Sequence, residues 1–156
     1  MNVYERLKAL QIELPTAPPP GGLYAPVKIF CGNLVYTSGV GPTDPAGKPL
    51  YVGKIGAELS VEEGQAAARQ ATLNLLSVLH AELGDLNRID CIVKQLGFVA
   101  STPDFDRQPE VMNGSTRLLM DVFGDPAGRP ARSAIATNVL PGNIPVEIEL
   151  LIALKD

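Results

Sequence analysis

The chain has few of the side chains on which most familiar catalytic sites depend. Its 156 residues include one histidine, two cysteines and no tryptophan. A Ser-His-Asp triad needs a histidine, and His80 lies near the end of a long helical pattern, where we expect it to face solvent. A zinc site needs three or four clustered ligands, and Cys31, Cys91 and His80 form no such motif. We therefore expect neither a metal nor a cofactor.

Long apolar runs, an excess of positive charge and a leader pattern are also missing. No run approaches the ~18 apolar residues of a membrane span. The net charge of −4 argues against nucleic acid as a partner, because phosphates need a clustered basic surface. Glu5, Arg6 and Lys8 interrupt the first apolar stretch, so it does not resemble a secretory signal. We expect a cytoplasmic protein, or one of an organelle matrix, with each cysteine a small buried hydrophobe.

What is present is enough apolar material for one packed domain. Hydrophobic residues make up 46% of the chain, and 15 glycines and 14 prolines make it rich in turns. The apolar spacing predicts a helix over residues 2–12, and the prolines between residues 15 and 20 predict an extended connector. We divide the chain into an N-terminal extension, residues 1–21, and an α+β domain, residues 22–156.

The domain has the predicted order ββαβαββ. The capping box of Ser60 and Glu63 begins the first helix, which ends at Leu83, and Pro109 and Gly124 bracket the second. The predicted strands are Tyr24–Phe30, Leu34–Ser38, Ile89–Ala100, Ser133–Val139 and Val146–Leu154, and residues 39–58 form a loop. We expect both helices on one face of a single sheet and the last two strands paired as a hairpin.

The strand patterns also predict an oligomer. Residues 146–154 and 89–100 place apolar side chains on both faces of their strands. Two helices cover only one face of a sheet, so the other face needs a partner. We expect sheets from several copies to pack around a shared centre.

Three polar residues stand where structure alone does not require them. Arg132 begins a strand, Glu147 interrupts an apolar strand, and Asn113 lies beside Gly114 early in the second helix. Each also has a structural explanation. Arg132 would then be a surface residue paired with a carboxylate, Glu147 a charge that protects an edge strand, and Gly114 a point of close helix packing.

Several motifs resemble the Rid family, also called YjgF/YER057c/UK114 and formerly endoribonuclease L-PSP. They are Gly32-Asn33-Leu34-Val35-Tyr36-Thr37-Ser38-Gly39, Pro130-Ala131-Arg132-Ser133-Ala134, Leu140-Pro141, and Val146-Glu147-Ile148-Glu149-Leu150. The fifteen-residue spacing from Arg132 to Glu147 is typical of that family. The resemblance implies a chorismate-mutase-like α+β fold and a homotrimer with sites in the clefts between subunits. It also implies hydrolysis of reactive enamines and imines, such as 2-aminoacrylate, to 2-keto acids and ammonia.

The resemblance also assigns roles to residues of this chain. Arg132 matches the arginine that binds the substrate carboxylate, and Glu147 matches the glutamate that orients water. Tyr24, Asn113 and Ser38 match further substrate-binding positions. Ala134 replaces a cysteine common in the family, and the segment around Tyr24 departs from the usual Gly-Pro-Tyr. The loop from Gly41 to Ala57 and the segment from Gly97 to Asn113 resemble a divergent branch of the family.

This chemistry needs no histidine, thiol or metal, because an imino acid is already electrophilic and positioning can remove ~7–11 kcal/mol from a barrier. With the last two strands paired as a hairpin, Arg132 and Glu147 lie roughly 20 Å apart in one chain, so we expect each site to combine residues of two subunits. The alternative is a non-catalytic regulatory module that binds a small carboxylate such as a 2-keto acid. RNA cleavage fits least, because the chain has no basic and aromatic patch.

Overall fold

The computed structural model describes residues 2–155. It begins with helix α1, Val3–Ala9, which is capped by the Asn2 side chain accepting from the backbone N–H groups of Tyr4 and Glu5. The helix is shorter than predicted, because Leu10 is its C-cap and the next residue, Gln11, has a positive φ of 55°. Val3 and Leu7 of α1 are buried in the main core, so the N-terminal extension packs on the rest of the chain.

Five strands and two further α-helices follow in the described chain, in the predicted order, with short 3-10 helices at Leu86–Arg88 and Pro141–Asn143. The strands are β1, Val27–Phe30; β2, Leu34–Thr37; β3, Ile89–Ala100; β4, Ala131–Thr137; and β5, Val146–Leu154. The helices are α2, Val61–Leu83, and α3, Gln108–Phe123. The capping box of Ser60 and Glu63 is formed as predicted, and Gly84 and Gly124 end the two helices. Residues 39–58 contribute only isolated bridges, as expected of a loop.

The sheet has the order β1-β2-β5-β3-β4, so the predicted hairpin of the last two strands is wrong. Helix α3 returns the chain to the starting end of β3, and β4 therefore pairs parallel to β3 at the sheet edge. Strand β5 runs antiparallel between β2 and β3. Glu147 thus lies on an interior strand, and its interpretation as a guard of an edge strand is also wrong.

The two faces of the sheet have different surroundings. Alternate residues of β5, from Val146 to Leu154, are buried beneath α2, and α3 packs on β3 and β4 of the same face. The opposite face carries no helix of the described chain, and Phe30, Tyr36 and Ile135 there are 40%, 43% and 46% exposed. This fold is the chorismate-mutase-like α+β architecture that the resemblance implied.

The helices lie close together where α3 carries Gly114. A Cβ at this position would overlap the backbone of Gln65 in α2, which confirms close helix packing as the reason for this glycine. Around this contact α3 carries three polar residues, Asn113, Ser115 and Thr116. Their side chains contact both α2 and the sheet.

The cysteines correct one expectation and the histidine confirms another. Cys31 occupies the β1–β2 turn with φ 51° and is exposed, and Cys91 is partly exposed, so neither is a small buried core residue. Cys31 is exposed because turn residues project away from the sheet. His80 is exposed near the end of α2, as predicted, and contacts the Tyr4 hydroxyl. Within residues 2–155 no helix is long and apolar enough to cross a membrane.

Candidate functional site

Arg132 lies on edge strand β4 with its guanidinium held against α3. One terminal nitrogen donates to Asn113 Oδ1 and to Thr116 Oγ1, both at 3.0 Å, and the other donates to the Pro109 carbonyl at 3.2 Å. Residues 109, 113 and 116 share one face of α3, because they are spaced by four and three residues. The fold thus brings together Arg132 and Asn113, two of the predicted site residues.

The charge of Arg132 has no carboxylate partner among the described residues, so its interpretation as a paired surface residue is wrong. All three acceptors are neutral oxygens. Partial burial lowers the pKa of the guanidinium from its usual value, since removal from water disfavours the charged form. A half-buried cation with neutral neighbours favours an anionic ligand.

Behind Arg132, a chain of buried polar side chains leads into the core. Thr116 Oγ1 lies 2.8 Å from Gln95 Oε1, and Gln95 Nε2 donates to Ser115 Oγ. Ser115 contacts Thr72 Oγ1 at 2.5 Å, and Thr72 donates to the Ala68 carbonyl at 2.8 Å. Gln95, Ser115 and Thr72 are buried at 0%, 0% and 1% exposure. The sequence alone did not predict this hydrogen-bond chain, although Gln95 interrupts an apolar strand and so indicates a buried polar contact.

Glu147 occupies a different part of the molecule, on the sheet face that carries no helix. Its carboxylate lies where a Cβ at position 39 would be, so Gly39 leaves the space that the side chain fills. Burial and the charge of Glu149 raise the pKa of Glu147. A carboxyl group with a raised pKa is a stronger base than an ordinary carboxylate, which suits it to accepting and returning a proton.

Glu149 lies beside this carboxyl group and is hydrogen-bonded on its own account. Tyr36 Oη donates to Glu149 Oε1 at 2.7 Å. This bond, with burial and the carboxylate charge, raises the pKa of the Tyr36 phenol. Glu149 is thereby fixed close enough to affect Glu147 by its charge.

Glu147 opens into a cavity of about 840 Å³ that Tyr24 and Ser38 also line. Tyr24 Oη accepts from the Gly21 backbone N–H at 2.8 Å, and Ser38 Oγ donates to the Ala25 carbonyl at 2.7 Å. The proline-rich connector forms part of the wall through Pro18, Pro19 and Pro20. Three predicted site residues therefore share one cavity, and its lining within the described chain includes no cysteine or histidine.

Arg132 and Glu147 do not meet within one chain. On β3, Arg132 pairs with Gln95 and Glu147 pairs with Phe98, which places their Cα atoms roughly 14 Å apart at ~3.3 Å per residue and ~4.8 Å per strand. The estimate of roughly 20 Å assumed the wrong pairing. A stronger obstacle is direction, because Arg132 contacts α3 while Glu147 faces away from the helices.

No group of three potential metal ligands occurs within residues 2–155. The opposite directions of Arg132 and Glu147 divide the site into two separated halves. One is a cation with hydrogen-bonding neighbours, and the other is a cavity with a carboxyl group whose pKa is raised.

The five-stranded mixed sheet with two long helices on one face places the chain among small α+β proteins. Residues 4–154 match the family model described as "YjgF/chorismate mutase-like, putative endoribonuclease". The chain belongs to this family, which confirms the resemblance drawn from its motifs.

Similar proteins occur in several organisms. Protein TCP17 of Trypanosoma cruzi is 39% identical over 156 residues, which cover 99% of this chain and 96% of that protein. The crystal structure of Atu1372 from Agrobacterium tumefaciens is 38% identical with a TM-score of 0.88, covering 98% of this chain and 92% of that one. A "putative endoribonuclease" from Shewanella oneidensis MR-1 is 35% identical with a TM-score of 0.92, covering 99% and 100%.

Proposed function

We propose that this protein hydrolyses reactive 2-imino and enamine acids of the 2-aminoacrylate type to 2-keto acids and ammonia. The observation that carries the proposal is Arg132, a half-buried guanidinium with no carboxylate partner in the described chain. Three of its five N–H groups are used by the protein. The remaining two suit the two oxygens of a substrate carboxylate.

The reaction needs little beyond position and proton transfer. 2-Aminoacrylate first tautomerises to the imine, as its amino group loses a proton and C3 gains one. Water then attacks C2 of the imine, and Glu147 accepts a water proton and passes it to the imine nitrogen, giving a carbinolamine. Glu147 then carries the hydroxyl proton to the amine as the C–N bond breaks and C=O forms. The products are a 2-keto acid and ammonia, and Glu147 ends ionised as it began.

We further propose that each complete site takes Arg132 from one subunit and Glu147 from its neighbour in a homotrimer. The opposite directions of the two side chains support this arrangement, because one substrate cannot contact both in a single chain. The partly exposed apolar face of the sheet, with Phe30, Tyr36 and Ile135, supports association of copies.

A non-catalytic module that binds a small carboxylate is the second candidate. It is favoured by the fact that the Arg132 and Asn113 half of the site is formed within one chain, whereas Glu147 lies elsewhere. Such a module would need only the anion-binding half.

Release of ammonia from freshly generated 2-aminoacrylate distinguishes the two candidates. We expect the purified protein to accelerate it, and both Arg132→Ala and Glu147→Ala to abolish the acceleration. A rate equal to that in buffer, together with binding of pyruvate that requires Arg132, would instead establish the carboxylate-binding module.

A further inference from the structure

We propose that Thr116 and Gln95 are positioning residues that fix the Arg132 guanidinium through one directed chain of hydrogen bonds anchored on helix α2. This inference rests on the proposed function, since it concerns how Arg132 is presented to a substrate carboxylate. Gln95 acts through Thr116, and Thr116 acts through Arg132. Every bond in this hydrogen-bond chain has a defined direction.

The direction is set from the buried end. The Thr72 hydroxyl has one proton, which it donates to the Ala68 carbonyl at 2.8 Å, so Thr72 Oγ1 must accept from Ser115 at 2.5 Å. Ser115 has then used its own proton, and its oxygen accepts from Gln95 Nε2. The Gln95 amide is thereby oriented, with Oε1 facing Thr116.

The outer half follows from that orientation. Gln95 Oε1 accepts the Thr116 proton at 2.8 Å, a shorter contact than the 3.4 Å from Thr116 to the Met112 carbonyl. A Thr116 lone pair is then left to face Arg132, which donates to it at 3.0 Å. All donors point from the guanidinium towards α2, and hydrogen bonds aligned in this way strengthen one another.

The chain fixes one side of the guanidinium and leaves the rest for a ligand. Thr116, Asn113 and the Pro109 carbonyl occupy three N–H groups on the side facing α3. A guanidinium is planar, so anchoring these three sets the plane in which the other two point. A carboxylate binds both only if that plane is correct.

A purely structural role does not explain this arrangement. Gln95 is 0% exposed on a strand whose neighbouring core positions are apolar, and burying an amide is unfavourable unless its polar atoms are satisfied. An apolar side chain of similar size would fill the same space without that requirement. What Gln95 adds is a fixed direction for the Thr116 hydroxyl.

The test uses the full-length protein and two readouts, the Kd of pyruvate from ligand-detected NMR and the separate KM and kcat for 2-aminoacrylate. We expect Thr116→Val and Gln95→Met each to raise Kd and KM about tenfold while kcat stays within about twofold, because the arginine binds ground state and transition state alike. Thr116→Ser, which keeps the hydroxyl, should restore both values.

Ser115→Ala and Ser77→Ala form a matched pair. Both serines are buried in helices, but Ser77 donates only to the Leu73 carbonyl and is not part of the hydrogen-bond chain. We expect Ser115→Ala to weaken pyruvate binding about threefold and Ser77→Ala to leave it unchanged. Ser115→Ala should also lower Tm more, because the buried Gln95 amide loses its acceptor. If Thr116→Val does not fold, Ser115→Ala still tests the hydrogen-bond chain.

The outcomes separate this inference from the proposed function. If folded Thr116→Val and Gln95→Met bind pyruvate like the wild type, the positioning role is wrong, whatever the wild-type activity. If the wild type binds pyruvate through Arg132 but releases no ammonia, hydrolysis is wrong, and the Kd series still decides the positioning role. If the wild type neither binds pyruvate nor accelerates ammonia release, both are wrong. If it releases ammonia without binding pyruvate, hydrolysis stands and the KM series decides the positioning role.

Discussion

The sharing of each site between subunits can be tested by mixing two inactive variants. Arg132→Ala removes the cation and Glu147→Ala removes the carboxyl group, and the two side chains point to opposite faces of the sheet with Cα atoms roughly 14 Å apart. In a ring of identical contacts, a site is restored only when its Arg132 comes from one variant and its Glu147 from the other. Random assembly of equal amounts restores about one quarter of the sites.

The assay is ammonia release from 2-aminoacrylate by co-expressed, differently tagged chains, normalised to total subunits. Wild type mixed with the double variant Arg132→Ala/Glu147→Ala is the control. If sites are shared, this mixture also retains about one quarter of full activity, whereas sites within one chain retain about one half. No recovery from the two single variants, together with one half from the control, would refute the shared site.

Three further predictions concern single residues. Gly39→Ala should lower kcat about 100-fold with little change in KM, because a Cβ at position 39 overlaps the Glu147 carboxylate. Kinetics equal to those of the wild type would contradict the placement of that carboxylate. Glu149→Gln removes the neighbouring negative charge, one of the two causes that raise the pKa of Glu147. The acidic limb of a plot of kcat against pH should therefore move to lower pH. An unchanged limb, or one that moves to higher pH, would exclude Glu147 as the titrating group. Arg132→Lys keeps the charge but loses the planar donors, so pyruvate binding should weaken at least about tenfold in a titration, and an unchanged Kd would rule out bidentate binding.

Local patterns determined most of the secondary structure. The capping box at Ser60 and Glu63 fixed where α2 begins, because the required side-chain and backbone atoms are three residues apart. Strands β3 and β5 have the predicted bounds, since β-branched and apolar runs favour strands. The motif spacing from Arg132 to Glu147 indicated the family before any fold was known, and Tyr24, Ser38 and Glu147 do share one cavity.

Only the tertiary structure decided how these parts face one another. Strand pairing is non-local, and the insertion of β5 beside β3 put Arg132 and Glu147 on opposite faces, where the sequence suggested a hairpin. The exposure of Cys31 likewise depends on its place in a turn and could not follow from apolar neighbours. The chain from Arg132 through Gln95 to α2 joins residues that are far apart in sequence, so their hydroxyl and amide groups acquire a common direction only after the helices have packed on the sheet.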